Sequence, residues 1–265
     1  MADEQTQYGV IKATPVLSER PVLPVRDLLP VPHRNIRLVV GHPAFGPSTY
    51  LNNLAEMQKT YFHSQQQPKI SFREPTTSES ISVCAYEFKK KVKPEILDPR
   101  WLQIGRIVRT LEGVFANPPK DAQENFITDK KILMHLLNGV EETNGIYLVE
   151  NNPSLRDFGY APYESFASGV QNCNAFIRGG LARLLEHTKE EVAKNLSKIA
   201  SPKFYPRGVS VLGFDAVNKP VLRVACLDSY WYSGSDGMDI LGYDWVDDDC
   251  GGCAFGVLNS SEVDL

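Results

Sequence analysis

The sequence predicts an α+β protein: a mixed or antiparallel sheet with packed helices and a strand-rich C-terminal quarter. Three observations carry this. Strand-like and helix-like periodicities interleave from about residue 36 to residue 202, and the chain beyond residue 208 reads mainly as strands. No Gly-rich phosphate loop or dinucleotide fingerprint follows any strand, which argues against a doubly wound nucleotide-binding sheet. At 265 residues, 42% hydrophobic and 23% charged, the chain can bury a core without disulfides or metals.

Along the chain, residues 14–34 hold Pro15, Pro21, Pro24, Pro30 and Pro32, which withhold backbone donors. An extended proline-rich arm over 1–34 is expected, followed by one globular domain over 35–265. Ile36–Val40, closed by Gly41, predicts a strand. Ser48 then caps a helix with Leu51, Leu54 and Met57 on one face. Residues 68–80 read as a loop and Ile81–Phe88 as a second strand. Asp98 and Pro99 open a helix carrying Trp101, Ile104, Val108, Leu111 and Phe115 at helical spacing, stopped by Pro118-Pro119.

Thr128 or Asp129 to Gly139 predicts another helix, on which His135 is a structural side chain, and Gly145–Val149 a buried strand. A polar, aromatic-rich connection spans 150–168. Asn172–His187 suits a helix that Gly179-Gly180 weakens or kinks. Thr188 with Glu191 reads as a capping box for a helix ending at Pro202. Residues 208–214 and 221–227 are strands joined by a short turn at Asn218-Lys219-Pro220, and 254–258 adds another.

Charge is uneven. The net value is −4, yet no Lys or Arg follows Arg223, and that final stretch carries nine acids, from Asp228 to Asp264. An acidic lobe over about 224–265 would repel a polyanion, so nucleic acid is not an expected partner. No apolar stretch approaches a bilayer span, and the acidic start Met1–Gln5 lacks the pattern of a secretory signal. Five scattered cysteines read as reduced thiols. A soluble cytoplasmic protein with no membrane partner is expected, acting on or binding a small molecule or peptide.

Candidate chemistry gathers at two places. Cys173 sits where a helix begins, and the unpaired donors and dipole of a helix N-terminus favour a thiolate. The run Asn172-Cys173-Asn174-Ala175-Phe176 resembles the cysteine motif of the circularly permuted papain-like families, including the PPPDE deubiquitinase-like peptidases and the lecithin retinol acyltransferase group. In those families the histidine comes first, at the start of a strand ending in glycine, and His33 ahead of Ile36–Gly41 has that look. The resemblance implies a hydrolase or transferase with Cys173 as nucleophile and His33 as base. Ala175, Arg34 and Asn35 depart from its pattern, and His42 is a rival base.

The acidic lobe is the second place. Trp231, Asp236, Asp239 and Trp245 mix aromatic rings with carboxylates, the composition of a ligand-pocket wall. Spacing of the aspartates does not match a calcium loop, and Cys250-Gly251-Gly252-Cys253 lacks a second ligand pair, so neither a metal nor a cofactor is implied. Two functions follow: a thiol enzyme through Cys173, or a non-catalytic domain that binds a ligand or protein through the acidic lobe.

Overall fold

The computed structural model describes residues 27–59, 61–62, 69–88, 101–229, 237–243 and 251–258. In chain order come β1 (Asp27–His33), β2 (Ile36–His42), α1 (Tyr50–Met57), β3 (Tyr61–Phe62), β4 (Lys69–Ile70), β5 (Phe72–Arg73), α2 (Thr77–Phe88), β6 (Trp101–Arg109) and β7 (Gly113–Ala116). Then follow α3 (Lys130–His135), β8 (Glu142–Thr143), β9 (Ile146–Leu148), β10 (Gly159–Pro162), β11 (Gly169–Gln171), α4 (Cys173–Arg178), α5 (Gly180–Glu186) and α6 (Lys194–Ile199). The strands β12 (Val209–Leu212), β13 (Val221–Asp228), β14 (Met238–Leu241), β15 (Gly252–Cys253) and β16 (Val257–Leu258) complete the order. The chain is α+β, as its sequence predicts.

Two sheets carry most of these strands. The smaller runs β1-β2-β16-β5 and is antiparallel throughout. The larger runs β11-β12-β14-β13-β6-β7-β10-β9-β8, with β12 and β14 parallel. Residues 27–33 of the proline-rich stretch belong to the smaller sheet. β1 is its edge strand, where Pro30 and Pro32 are tolerated.

The segment expected as a helix from Asp98 forms β6 and β7 wherever it is described. Every β6 residue after Trp101 is buried, and a central strand buried on both faces shows the same apolar density as a buried helix. Gly105 weakens a helix but suits this strand, because a Cβ there would meet Thr77 Cγ2 at 3.0 Å and the Thr77 nitrogen at 3.1 Å.

Conversely, the strand expected at Ile81–Phe88 lies in α2. Its start is a reciprocal capping box: Glu79 N–H donates to Thr76 Oγ1 at 3.2 Å, and Thr76 N–H to Glu79 Oε2 at 2.9 Å. Two orphan donors are thereby satisfied inside the protein, and the helix holds despite its β-branched residues. It packs against β1, β6, α5 and α6. Ile81, Val83 and Phe88 are buried in the main core, each contributing roughly 1.5–3 kcal/mol.

Smaller corrections have local causes. Thr49, not Ser48, caps α1, and the inward residues are Tyr50, Asn53 and Met57. The glycine pair divides the helix after Asn172 into α4 and α5 at Gly179, whose ψ of 152° is extended. Glu186 delays the next helix to Lys194, because its carboxylate accepts the N–H groups of Asn195 and Leu196. β10 lies within the expected connection at 150–168, and β14 separates β12 from β13.

Candidate functional site

β6 shares one edge between two partners. β15 pairs with residues 101–102 and β7 with residues 107–109, and the Asn117 N–H just after β7 donates to the Arg106 carbonyl at 2.9 Å, which leaves residues 103–105 as a gap beside Arg106. Over this gap lies a pocket of about 730 Å³, roofed by α1 and by the segment that runs from β5 into α2. Leu54, Phe72 and Phe126 supply apolar lining, and Arg73, Arg106, Lys120 and Arg156 cationic lining, with Arg106 and Lys120 both over the Phe126 ring.

Arg106 is the unusual member. Its guanidinium carbon lies 4.4 Å from the centroid of Tyr50 and 5.4 Å from that of Phe126, and the residue is only 8% exposed. The nearest carboxylate oxygen, Glu74 Oε1, is 3.6 Å from Nε, too far for a hydrogen bond. Glu74 Oε1 instead accepts the Tyr50 hydroxyl at 2.6 Å; burial and that carboxylate push the Tyr50 phenol well above its usual range. Among the described residues the Arg106 guanidinium makes no hydrogen bond, and its Nε is fully buried. Buried donors without acceptors are rare, because each forfeits its hydration.

Two of the other cations are engaged. Arg73 forks onto Glu79 at 2.7 and 2.8 Å and Lys120 lies 3.5 Å from Glu124, while Arg156, 3.9 Å from Glu79, is beyond hydrogen-bond reach of it but is far more exposed than Arg106. Burial opposes the charge on Glu79, but the Arg73 hydrogen bonds and charge outweigh it and hold its pKa below the ordinary value.

A second, open cleft of about 1240 Å³ lies beyond Pro153 and Arg156, which line both. Arg34 and Asp157 are held there by one another and by their neighbours. Arg34 donates to Asp157 at 2.7 Å, to Ser78 Oγ at 3.1 Å and to the His187 carbonyl at 3.3 Å, while Thr76 Oγ1 donates to Asp157 at 2.5 Å. His33, predicted as a base, is buried with Nδ1 2.9 Å from Ser82 Oγ. Burial and then Arg34 lower its pKa.

Cys173 does begin a helix, α4, with Asn172 as its cap. Yet it is 2% exposed, its thiol donates to the Tyr205 carbonyl at 3.6 Å, and burial raises its pKa. No hydrogen bond joins Cys173 to His33 among the described residues. Asp239 lies in β14 opposite Asp228 of β13, and burial raises its pKa against a hydrogen bond from Ser210. Trp231, Asp236 and Trp245 lie outside the described residues, as does Cys250. Cys253 is buried in β15.

Among the described residues no cluster of three or more His, Cys, Asp or Glu is placed to hold a metal, and no helix is long and apolar enough to cross a membrane. The Arg106 pocket escaped sequence reasoning because β6 read as a helix. Its signal is a charge embedded in the apolar run Ile104-Gly105-Arg106-Ile107-Val108, which demands a partner once that run is buried. Comparison with protein-family models, with curated proteins and with solved structures returns no match to this chain.

Proposed function

We propose that this chain is a small-molecule-binding domain whose ligand places an oxyanion, a carboxylate or phosphate, against Arg106. One observation carries the reading: a nine-tenths buried guanidinium lines a 730 Å³ pocket without a hydrogen bond among the described residues. A planar oxyanion accepts two donors from one guanidinium, and such charge-assisted pairs are stronger than neutral ones. The pocket volume falls in the usual range for small-molecule sites, and its few polar groups are set among apolar walls.

Cys173 and His33 contribute nothing to this reading. A buried thiol with a raised pKa is the opposite of the exposed thiolate that nucleophilic chemistry requires.

The test is ligand-dependent stability. A ligand that binds only the folded chain adds about 2.7 kcal/mol at one hundred times its Kd. Benzoate and inorganic phosphate are titrated against chloride at matched ionic strength, and at least one should raise the unfolding midpoint of the full chain saturably. Arg106→Gln should abolish the rise, and Arg106→Lys should weaken it. No rise with either anion in the unsubstituted chain overturns the proposal, as does an equal rise in Arg106→Gln.

A further inference from the structure

We infer that the ligand is an amphipathic monocarboxylate, with its carboxylate on Arg106 and its apolar chain or ring along Leu51, Leu54 and Phe126. The inference rests on the reading of the pocket given above and narrows the ligand class in two ways.

The first is charge. Among the described residues Arg73, Arg106, Lys120 and Arg156 face Glu74 and Glu124, with Glu79 behind, a balance of one positive charge. Arg73 is held by Glu79 and Lys120 lies beside Glu124, so Arg106 and the more exposed Arg156 are the cations with donors to give, and of the two only Arg106 is buried. A single guanidinium matches a singly charged carboxylate. A phosphate dianion would exceed the single positive charge that this balance leaves.

The second is the mixed polarity of α1, whose inward face carries Asn53 between Tyr50 and Met57. Its inward face turns polar groups into the protein: Asn53 Nδ2 donates to Gln103 Oε1 at 2.7 Å and to the Gly252 carbonyl at 3.0 Å, and Tyr50 donates to Glu74. Leu54 packs partly against the core beneath α1, and Leu51 lies outside it. Leu51 is 67% exposed, and both Leu51 and Leu54 line the pocket. Tyr50 and Met57 already fill the core beneath the helix, so the core does not require Leu51. Apolar residues one turn apart and a buried cation lining the same pocket suit a molecule with an apolar body and an acidic end.

Titration of the full chain with butanoate, hexanoate and octanoate tests this, with 1-octanol as the uncharged comparison. Affinity should rise about three- to fourfold for each added methylene, and 1-octanol should bind at least tenfold more weakly than octanoate. Leu51→Gln, at a position 67% exposed, should reduce the gain from butanoate to octanoate. Equal affinity along the series, an unchanged gain in Leu51→Gln, or 1-octanol binding as tightly as octanoate would each overturn the inference. If the acids bind in an Arg106-dependent way without regard to chain length, the oxyanion site stands and only the amphipathic assignment falls. If benzoate, phosphate and the acids all fail to bind, both fall.

Discussion

Glu79 grips Arg73 with both carboxylate oxygens, Oε1 taking Nη2 at 2.7 Å and Oε2 taking Nη1 at 2.8 Å, while Oε2 also accepts the Thr76 N–H. One side chain therefore caps α2, anchors the end of β5 and backs the Arg106 pocket. Removing a partner from such a buried pair leaves an uncompensated charge. Glu79→Gln should lower stability by about 3 kcal/mol in urea or guanidinium unfolding. A loss below about 1 kcal/mol would show that the fork does not hold α2 in place.

Asp157 supplies the pH dependence. Burial disfavours its charge, but His187 and Arg34, with the Thr76 hydroxyl, outweigh burial and hold its pKa below the ordinary value. The unfolded chain therefore binds this proton more readily than the folded one. The stabilisation is complete above the unfolded pKa, near 4, and is lost as pH falls through the folded value. Unfolding midpoints measured from pH 6 down to pH 3 should fall, and the fall should be shallower in Asp157→Asn. Identical slopes would remove Asp157 from the account.

Asp239 has the opposite sign. Burial raises its pKa, so its contribution is full below the unfolded value and declines as pH rises through the folded value. Asp239→Asn should accordingly raise the unfolding midpoint at pH 7, where the buried charge is most costly. A lower midpoint there would mean that the carboxylate has a compensating partner.

Gly208 joins the turn after Tyr205 to β12 with φ +92°, and a Cβ there would come within 2.1 Å of the Gln171 carbonyl oxygen. Neither the dihedral nor the backbone contact can relax cheaply. Gly208→Ala should cost roughly 2–3 kcal/mol by chemical denaturation.

Cys173 gives a kinetic prediction. Its burial and raised pKa make alkylation by iodoacetamide slow in the folded protein at pH 7, and unfolding should accelerate it many-fold. Peptide mass analysis of the labelled chain follows the rate, with Cys173→Ala as the reference. Rapid labelling of the folded chain below pH 7 would restore Cys173 as a nucleophile.

These predictions draw unequally on what the sequence reveals. Local signals are legible: Asn172 and Asp129 cap α4 and α3, and the runs over β2, β9, β12 and β13 read as strands. Misreadings occurred where burial is complete, because a fully buried segment loses the polar face that distinguishes a period of 3.6 from a period of 2. β6 and α2 exchanged their assignments for that reason. Thr76 followed by Glu79 was a readable capping box that would have corrected α2 and, with it, located the rim of the pocket. Arg106 was less accessible, since its isolation depends on Tyr50, Glu74 and Phe126 meeting around it from three separate segments.

Among the described residues the Arg106 guanidinium has no hydrogen-bond acceptor, and the proposed ligand supplies one. Side-chain NMR of the arginine Nε–H groups, assigned with Arg106→Lys, observes that atom group directly. Titration with octanoate should move the Arg106 resonance saturably and slow its exchange with water, leaving the Arg73 resonance nearly fixed on Glu79. An Arg106 signal that stays in place while octanoate reaches saturating concentrations would contradict the account.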